Sequence, residues 1–130
     1  MGIVSIPAEA EGKVLAIRAH LGASDGLEIR LVVDTGAGTS ALSLGCAERH
    51  GLPVRSGLRV RTPTGLTSVG AFLIPRLRIG PLEVSNLRLA AVPLPNDRVD
   101  GLLGLDFFRA VGAASVTFRL HDRRIDVQLA

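Results

Sequence analysis

Alternation of apolar and charged residues restricts the fold of this chain more than any other feature. In Leu27–Leu31, and again in Arg76–Ile79, neighbouring side chains differ in polarity with a period of two residues. Successive side chains of a β-strand point to opposite faces, so this period predicts strands with one buried and one solvated face. Turn signals such as Pro63-Thr64-Gly65 and Gly80-Pro81 separate the alternating segments.

The same reasoning applied to the whole chain predicts mainly short strands. The predicted strands are Lys13–His20, Leu27–Val33, Leu58–Arg61, Val69–Ile74, Arg76–Ile79, Leu82–Val92, Ser115–Leu120 and Ile125–Leu129. Two brief helices are predicted, over Leu42–His50 and Asp106–Ala110, the first ended by Gly51 and Pro53. Many strands at close spacing indicate an all-β fold, closed or sandwiched, and 130 residues suit one domain over 1–130.

The composition is typical of a folded globular protein, with 47% apolar and 21% charged residues. The chain contains four Phe, no Trp and no Tyr, so we expect an aliphatic core and no stacking of nucleic-acid bases. The net charge of +3 comes from dispersed arginines without a basic run, which favours a solvated surface over nucleic-acid binding. A cleft that prefers acidic substrates is compatible with this charge.

Cysteine and histidine content argues against a disulfide, a metal site or a cofactor. Cys46 is the only cysteine, and His20, His50 and His121 lack the spacing of metal ligands. We find no signal peptide and no apolar run of membrane-spanning length. If the chain is full length, these features predict a cytoplasmic protein with no membrane span.

Asp34 directly follows a continuous apolar segment, Leu31–Val33. Such a segment is typical of a strand buried on both faces, and a carboxylate at its end is costly unless it is paired or functional. Gly36 and Gly38 follow, and glycine lets a ligand approach the main chain closely. Taken alone, Asp-Thr-Gly is also typical of a turn that ends a strand.

A second apolar segment, Leu102-Leu103-Gly104, precedes the second predicted helix. By itself it is typical of a core strand that ends at a glycine. Together with Val32-Val33-Asp34-Thr35-Gly36-Ala37 and the hairpin near Thr62–Gly65, it resembles the retropepsin-like aspartic proteases in order, spacing and length. The resemblance covers residues 13–129 and implies a closed acid-protease-type β-barrel.

The resemblance also implies roles for individual residues. The implied catalytic residues are Asp34, Thr35 and Gly36. The implied substrate-binding residues are Ala37 and Gly38, with Thr62, Pro63, Thr64 and Gly65 in a hairpin flap that closes over the substrate. The implied support of the catalytic loop is Leu102, Leu103 and Gly104. An apolar cleft with Val60, Phe72 or Leu103 in its wall would suit hydrophobic peptides.

Aspartic proteases use two carboxylates that share one proton, because like charges so close cannot both ionise, as is established for that family. This chain has one Asp-Thr-Gly and no length for two lobes. The resemblance therefore implies a homodimer in which Asp34 and Asp34′ activate a water that hydrolyses a peptide bond in a peptide or protein substrate.

Two departures from the family pattern concern the neighbours of the catalytic segment. Many retroviral members pair acidic residues after Asp-Thr-Gly-Ala with an Arg after the later glycine, whereas this chain has Gly38, Thr39 and Leu105 there. Ala37 stands where pepsin-like relatives have Ser. Loss of a hydroxyl that stabilises the ionised carboxylates predicts an optimum at mild rather than strong acidity.

Two other interpretations compete with the aspartic endopeptidase. Cys46 and His50 are four residues apart in the first predicted helix and could form a nucleophile and base. A buried inert cysteine also fits, because Leu44, Ala47 and Leu52 surround it in sequence. The other interpretation is a catalytically silent domain of the same fold, used for dimerisation or peptide binding.

Overall fold

The computed structural model describes residues 2–22, 26–94 and 98–130, which form mostly strands and two short helices. The strands are β1 (Ile3–Pro7), β2 (Glu9–Glu11), β3 (Val14–Leu21), β4 (Leu27–Val33), β5 (Ala41–Ser43), β6 (Arg55–Thr62), β7 (Gly65–Ile79), β8 (Leu82–Val92), β9 (Gly101–Leu103), β10 (Ala113–Arg119) and β11 (Arg124–Leu129). The helices are α1 (Leu44–Arg49) and α2 (Leu105–Ala110).

Six strands form a closed barrel. They lie in the order β3-β4-β9-β5-β8-β7, and β7 pairs back onto β3 through His20 opposite Arg78 and Leu21 opposite Leu77. Closure leaves no unpaired edge between these six strands, while β2 and β6 extend the sheet beyond the ring. The predicted all-β class and barrel are confirmed.

A second sheet of three strands places β11 between β1 and β10. The pairing of β1 with β11 joins the two ends of the chain, with Val4 opposite Val127 and Ile6 opposite Ile125. The sequence analysis did not predict β1 or the short β2. Strand β1 depends on hydrogen bonds to residues at the far end of the chain, and such a pairing leaves no mark on local periodicity.

The first helix is shorter than predicted. Residues 42 and 43 belong to β5, where Leu42 lies opposite Gly101, and α1 begins only at Leu44. The Ser43 hydroxyl accepts a hydrogen bond from the Cys46 amide at 2.9 Å and so caps the first turn. Among the described residues, no helix has the length and apolar character needed to cross a membrane.

Strand β7 continues through Pro75, where the sequence analysis divided it into two strands. Ile74 pairs with Leu87 and Arg76 pairs with Ser85, so the register with β8 is the same on both sides of the proline. The residue opposite Pro75 is Asn86, which has a φ of 56°. Proline has no amide proton to donate to β8, and the irregular backbone of β8 at Asn86 accommodates this loss. Strand β7 therefore continues over all fifteen of its residues.

The core is mainly aliphatic, as predicted, with phenylalanines added. The largest side chains with less than 2% exposure are Phe72, Phe107, Ile17, Ile29, Leu31, Leu42, Ile74, Leu77, Ile79, Leu89, Leu103 and Ile125. Phe107 and Phe108 meet edge to face, with ring centroids 5.8 Å apart. Both rings are buried, so their apolar surface packs α2 against the core.

Strand β9 lies between β4 and β5, parallel to β4 and antiparallel to β5. Gly101 faces Leu31 on one side and Leu42 on the other. A Cβ atom at Gly101 would lie 2.1 Å from the carbonyl oxygen of Ala41, a main-chain atom that cannot move aside alone. Glycine is therefore required where these three strands approach one another.

We expect Gly101→Ala to lower the free energy of unfolding by about 3 kcal/mol, because the added methyl group overpacks the three-strand contact. Urea denaturation followed by circular dichroism would measure the change.

Gly45→Ala is the matched control. Gly45 is exposed within α1, and its added Cβ would meet only the end of the Arg49 side chain at 3.5 Å. We expect this variant to be as stable as the wild type or more stable by up to about 1 kcal/mol, because Ala favours helix. Equal stability of the two variants would show that the close approach at Gly101 is not a constraint.

Candidate active site

Asp34 lies where β4 ends and leaves the barrel. Its amide donates a hydrogen bond to the Leu103 carbonyl at 2.9 Å, which continues the parallel pairing of β4 with β9. Asp34 is half-buried. Leu31 is in the core, but Val32 and Val33 are only half-buried, so the expected burial of this segment on both faces is wrong for the single chain. Val32 and Val33 instead line two surface depressions.

The loop after Asp34 orients its carboxylate. The Gly36 amide donates to Oδ1 of Asp34 at 3.0 Å, and the Ala37 amide donates to the Asp34 carbonyl at 3.1 Å. A Cβ atom at Gly36 would lie 3.2 Å from the same Oδ1, which is a tight contact. Gly36 therefore holds the carboxylate through its main chain and leaves it uncrowded.

The predicted support residues contact this loop in different ways. Gly104 lies directly against it, since a Cβ there would be 2.7 Å from the Ala37 carbonyl oxygen. The Ala37 carbonyl also accepts a hydrogen bond from the Leu105 amide at 2.9 Å. Leu103 is buried in the core, whereas Leu102 is half-buried and lines the cavity beside the loop.

A cavity of about 300 Å³ opens beside the loop. Its lining residues are Gly36, Ala37, Gly38, Thr39, Ala41, Arg59, Val60, Arg61, Ala90, Val92 and Leu102. The structure thus brings three predicted site residues, Gly36, Ala37 and Gly38, to one cavity wall. Strand β6 supplies Arg59, Val60 and Arg61 to the same cavity, and the sequence analysis expected only Val60 there.

The predicted hairpin is present. Thr62 pairs with Gly65, so Pro63 and Thr64 form the tip between β6 and β7, and Gly65 has a φ of 124° that favours glycine. The cavity wall on this side consists of Arg59, Val60 and Arg61, which precede the tip.

The expected cleft wall is only partly correct. Val60 lines the cavity, as expected, but Phe72 and Leu103 are each 1% exposed and belong to the core. Both are on strands whose inward faces fill the barrel, so their side chains are committed to packing rather than to the cleft.

Ser40 and Asp106 form a buried brace behind the loop, which the sequence analysis missed. The Ser40 amide donates to Oδ2 of Asp106 at 2.9 Å, and the Ser40 hydroxyl donates to Oδ1 at 2.6 Å. The same hydroxyl accepts from the Gly104 amide at 2.8 Å. Ser40 is 1% exposed, so these bonds lie in a poorly hydrated environment and stabilise the loop more than surface bonds would.

The brace joins the two ends of the site in place of the absent ion pair. Gly38, Thr39 and Leu105 carry no charge. The next residue of each segment makes the connection instead, since Ser40 follows Thr39, Asp106 follows Leu105, and the two are hydrogen-bonded. Asp106 also accepts from the Phe107 amide at 2.9 Å, in the first turn of α2. Two sequence features could have indicated this brace: the hydroxyl of Ser40, six residues after Asp34, and the carboxylate of Asp106, directly after Leu103-Gly104-Leu105.

Cys46 does not have the properties of a nucleophile. It is completely buried, and burial together with the nearby Asp100 carboxylate raises the pKa of the Cys46 thiol to about 11. His50 is exposed, and its amide donates to the Cys46 carbonyl at 3.1 Å in the last turn of α1. A thiol with a raised pKa carries little thiolate at neutral pH, so Cys–His catalysis has no support here.

Within the described ranges, no three His, Cys, Asp or Glu side chains cluster as metal ligands would. Asp100 has structural partners: it accepts from the Arg30 amide at 2.9 Å and pairs with Arg49 at 3.2 Å.

A family model for aspartyl proteases matches residues 21–107, a segment that contains Asp34, the hairpin and Gly104. The chain belongs to the aspartyl protease family. The match starts in β3 and ends in α2, so it covers every strand of the closed barrel at least in part. A comparison with curated proteins finds no match for this chain.

Solved structures show the same fold. The chain is similar to a retropepsin-like aspartic protease from Rickettsia conorii, with a TM-score of 0.65 and 18% sequence identity. The similarity covers 98% of this chain and 90% of that chain. In total, 65 chains of solved structures match this chain. The retropepsin-like fold inferred from the sequence is confirmed.

We expect Asp106→Ala to lower the free energy of unfolding by about 3 kcal/mol, because the buried Ser40 amide and hydroxyl lose their acceptor. Chemical denaturation of the purified variant measures this loss.

Glu48→Ala provides the control for removing a carboxylate, since Glu48 is exposed on α1. This control should change stability by less than about 0.5 kcal/mol. If Asp106→Ala proved as stable as Glu48→Ala, the brace would have no structural role.

Proposed function

We propose that this protein is an aspartic endopeptidase, active as a homodimer, in which Asp34 and Asp34′ of a second copy activate water for peptide hydrolysis. The observation that carries the proposal is the placement of Asp34. In a chain of the aspartyl protease family, the loop that orients its carboxylate forms one wall of a cavity whose other wall is a hairpin strand.

The proposed chemistry needs a base for the water and an acid for the scissile carbonyl or the leaving amine. Two Asp34 carboxylates that share one proton supply both, with one ionised and one protonated at a time. Thr35 would brace the two loops against each other, and Gly36, Ala37 and Gly38 would offer main-chain groups to the substrate.

The hairpin tip from Thr62 to Gly65 would close over the bound peptide and exclude water. Closure would place the wall formed by β6 against the substrate, opposite the loop that carries Asp34. Leu102, Leu103 and Gly104 would hold the loop from behind, in keeping with the contact between Gly104 and Ala37.

The surface around Thr35 supports the proposal of a second copy. Thr35 is exposed and borders a groove lined by Val14, Val33 and Phe118, among others. Leu120, at the edge of the same groove, is 69% exposed. Apolar side chains beside a catalytic loop favour burial against a partner, and the twofold-related loop is the partner that the chemistry requires.

We expect Asp34→Asn to reduce peptide cleavage by about a thousandfold or more, because an amide cannot exchange the proton that general acid–base catalysis needs. The substitution is close in size, so fold and dimer should persist. Cleavage of a fluorogenic peptide library, with and without pepstatin, measures the activity, and sedimentation measures the dimer.

Subunit mixing tests the shared site directly. An excess of Asp34→Asn added to the wild type should suppress activity, since each mixed dimer has a single Asp34. The matched control is Glu48→Gln, an exposed carboxylate changed to an amide on α1, which should leave activity unchanged in the same mixture. Cleavage by Asp34→Asn at the wild-type rate would rule out the Asp34 mechanism, whereas a wild-type dimer that cleaves no peptide of the library would favour the catalytically silent domain.

The pH profile should show an optimum at mild acidity, above about pH 4, because Ala37 provides no hydroxyl to stabilise the ionised pair. Ala37→Ser should shift the acidic limb of kcat/KM towards lower pH. Maximal wild-type activity at or below about pH 3 would contradict this assignment.

A further inference from the structure

The charged side chains that line the cavity beside the catalytic loop are all positive. Of its eleven lining residues, Arg59 and Arg61 are the charged ones, and the remaining nine are glycine, alanine, valine, leucine or threonine. Both arginines are on β6, on either side of Val60. The wall that faces the catalytic loop is therefore cationic and partly apolar.

Some arginines of the barrel have acidic partners. Arg18 pairs with Glu9 and Glu28, and Arg76 pairs with Glu83. In the part of the chain that the structure describes, no carboxylate forms an ion pair with Arg59 or Arg61. Both side chains are exposed and so are available to a ligand in the cavity.

The apolar part of the cavity defines the other half of the ligand. Val60, Val92 and Leu102 supply aliphatic surface, and Ala41 and Ala90 add small apolar side chains. A side chain of moderate size and apolar character fits this surface, while a carboxylate near it would meet the two guanidinium groups.

We infer that Arg59 and Arg61 select peptide substrates that have an acidic side chain close to the apolar residues at the scissile bond. The inference rests on the proposed endopeptidase and names its substrate class. In a symmetric dimer each copy contributes two such arginines, so acidic residues on either side of the scissile bond are favoured. The positive potentials of the two neighbouring guanidinium groups add at the cavity, which raises the attraction for a substrate carboxylate.

The first experiment compares three peptides that share one apolar scissile pair and differ at the flanking positions, which are Glu, Gln or Lys. We expect kcat/KM to fall in the order Glu, Gln, Lys, by about two- to fivefold at each step, as for partly screened ion pairs. The Glu preference should weaken with added salt and disappear below about pH 4, where the peptide carboxyl is protonated.

Variants assign the preference to the two arginines. Arg59→Gln and Arg61→Gln should each reduce the ratio of Glu to Gln cleavage, and the double variant R59E/R61E should make the Lys peptide the best of the three. Arg88→Gln is the control. Arg88 is exposed on β8, which pairs with β7, but it does not line the cavity. Its ratio should equal that of the wild type.

The outcomes separate the substrate class from the proposed activity. If the wild type cleaves the Gln peptide and Asp34→Asn does not, the endopeptidase is supported, whatever the charge preference. Equal kcat/KM for all three peptides, with cleavage intact, overturns the role of Arg59 and Arg61 alone.

Binding of the labelled peptides to Asp34→Asn, followed by fluorescence anisotropy, tests the charge preference without any turnover. The Glu peptide should bind most tightly, and the double variant R59E/R61E in the Asp34→Asn background should reverse the order. Equal affinities for the three peptides would overturn the inference even if no peptide were cleaved.

Discussion

The insertion of β9 between β4 and β5 is the constraint on which the rest of the structure depends. It aligns Gly101 with Leu31 and Leu42, and it brings the strand that ends at Asp34 beside the strand that ends at Gly104. Three main chains meet at Gly101 without space for a side chain. The position of the loop after Asp34 therefore depends on the close packing of these three strands.

The loop between β4 and β5 is held from two directions. Gly36 orients the Asp34 carboxylate from within the loop, while Ser40 and Asp106 attach the loop to α2. Because Ser40 is buried, its hydrogen bonds rigidify the segment at the cost of requiring every partner to be present. Gly38, Thr39 and Leu105 carry no charge, so the Ser40–Asp106 hydrogen bonds attach the loop to α2 without an ion pair.

Sequence reasoning succeeded where the signal is local. Alternation located β3, β4 and β8, glycine and proline located the hairpin tip, and the apolar residues before Asp34 and Gly104 located the site loop. It failed where a strand exists because of a distant partner: β1 needs β11, and β5 needs β9. The same limit hid the Ser40–Asp106 brace, since hydrogen bonding across 66 residues has no local period.

The sequence by itself determined the all-β class, the family resemblance and the identity of Asp34 as the candidate carboxylate, because periodicity and short motifs are written in consecutive residues. Only the tertiary structure decided which residues share the cavity. It moved Phe72 and Leu103 into the core and placed Arg59 and Arg61 in the same cavity lining as Gly36 and Gly38. The physical reason is pairing between strands that are distant in sequence, which sets each strand's faces towards core or cleft.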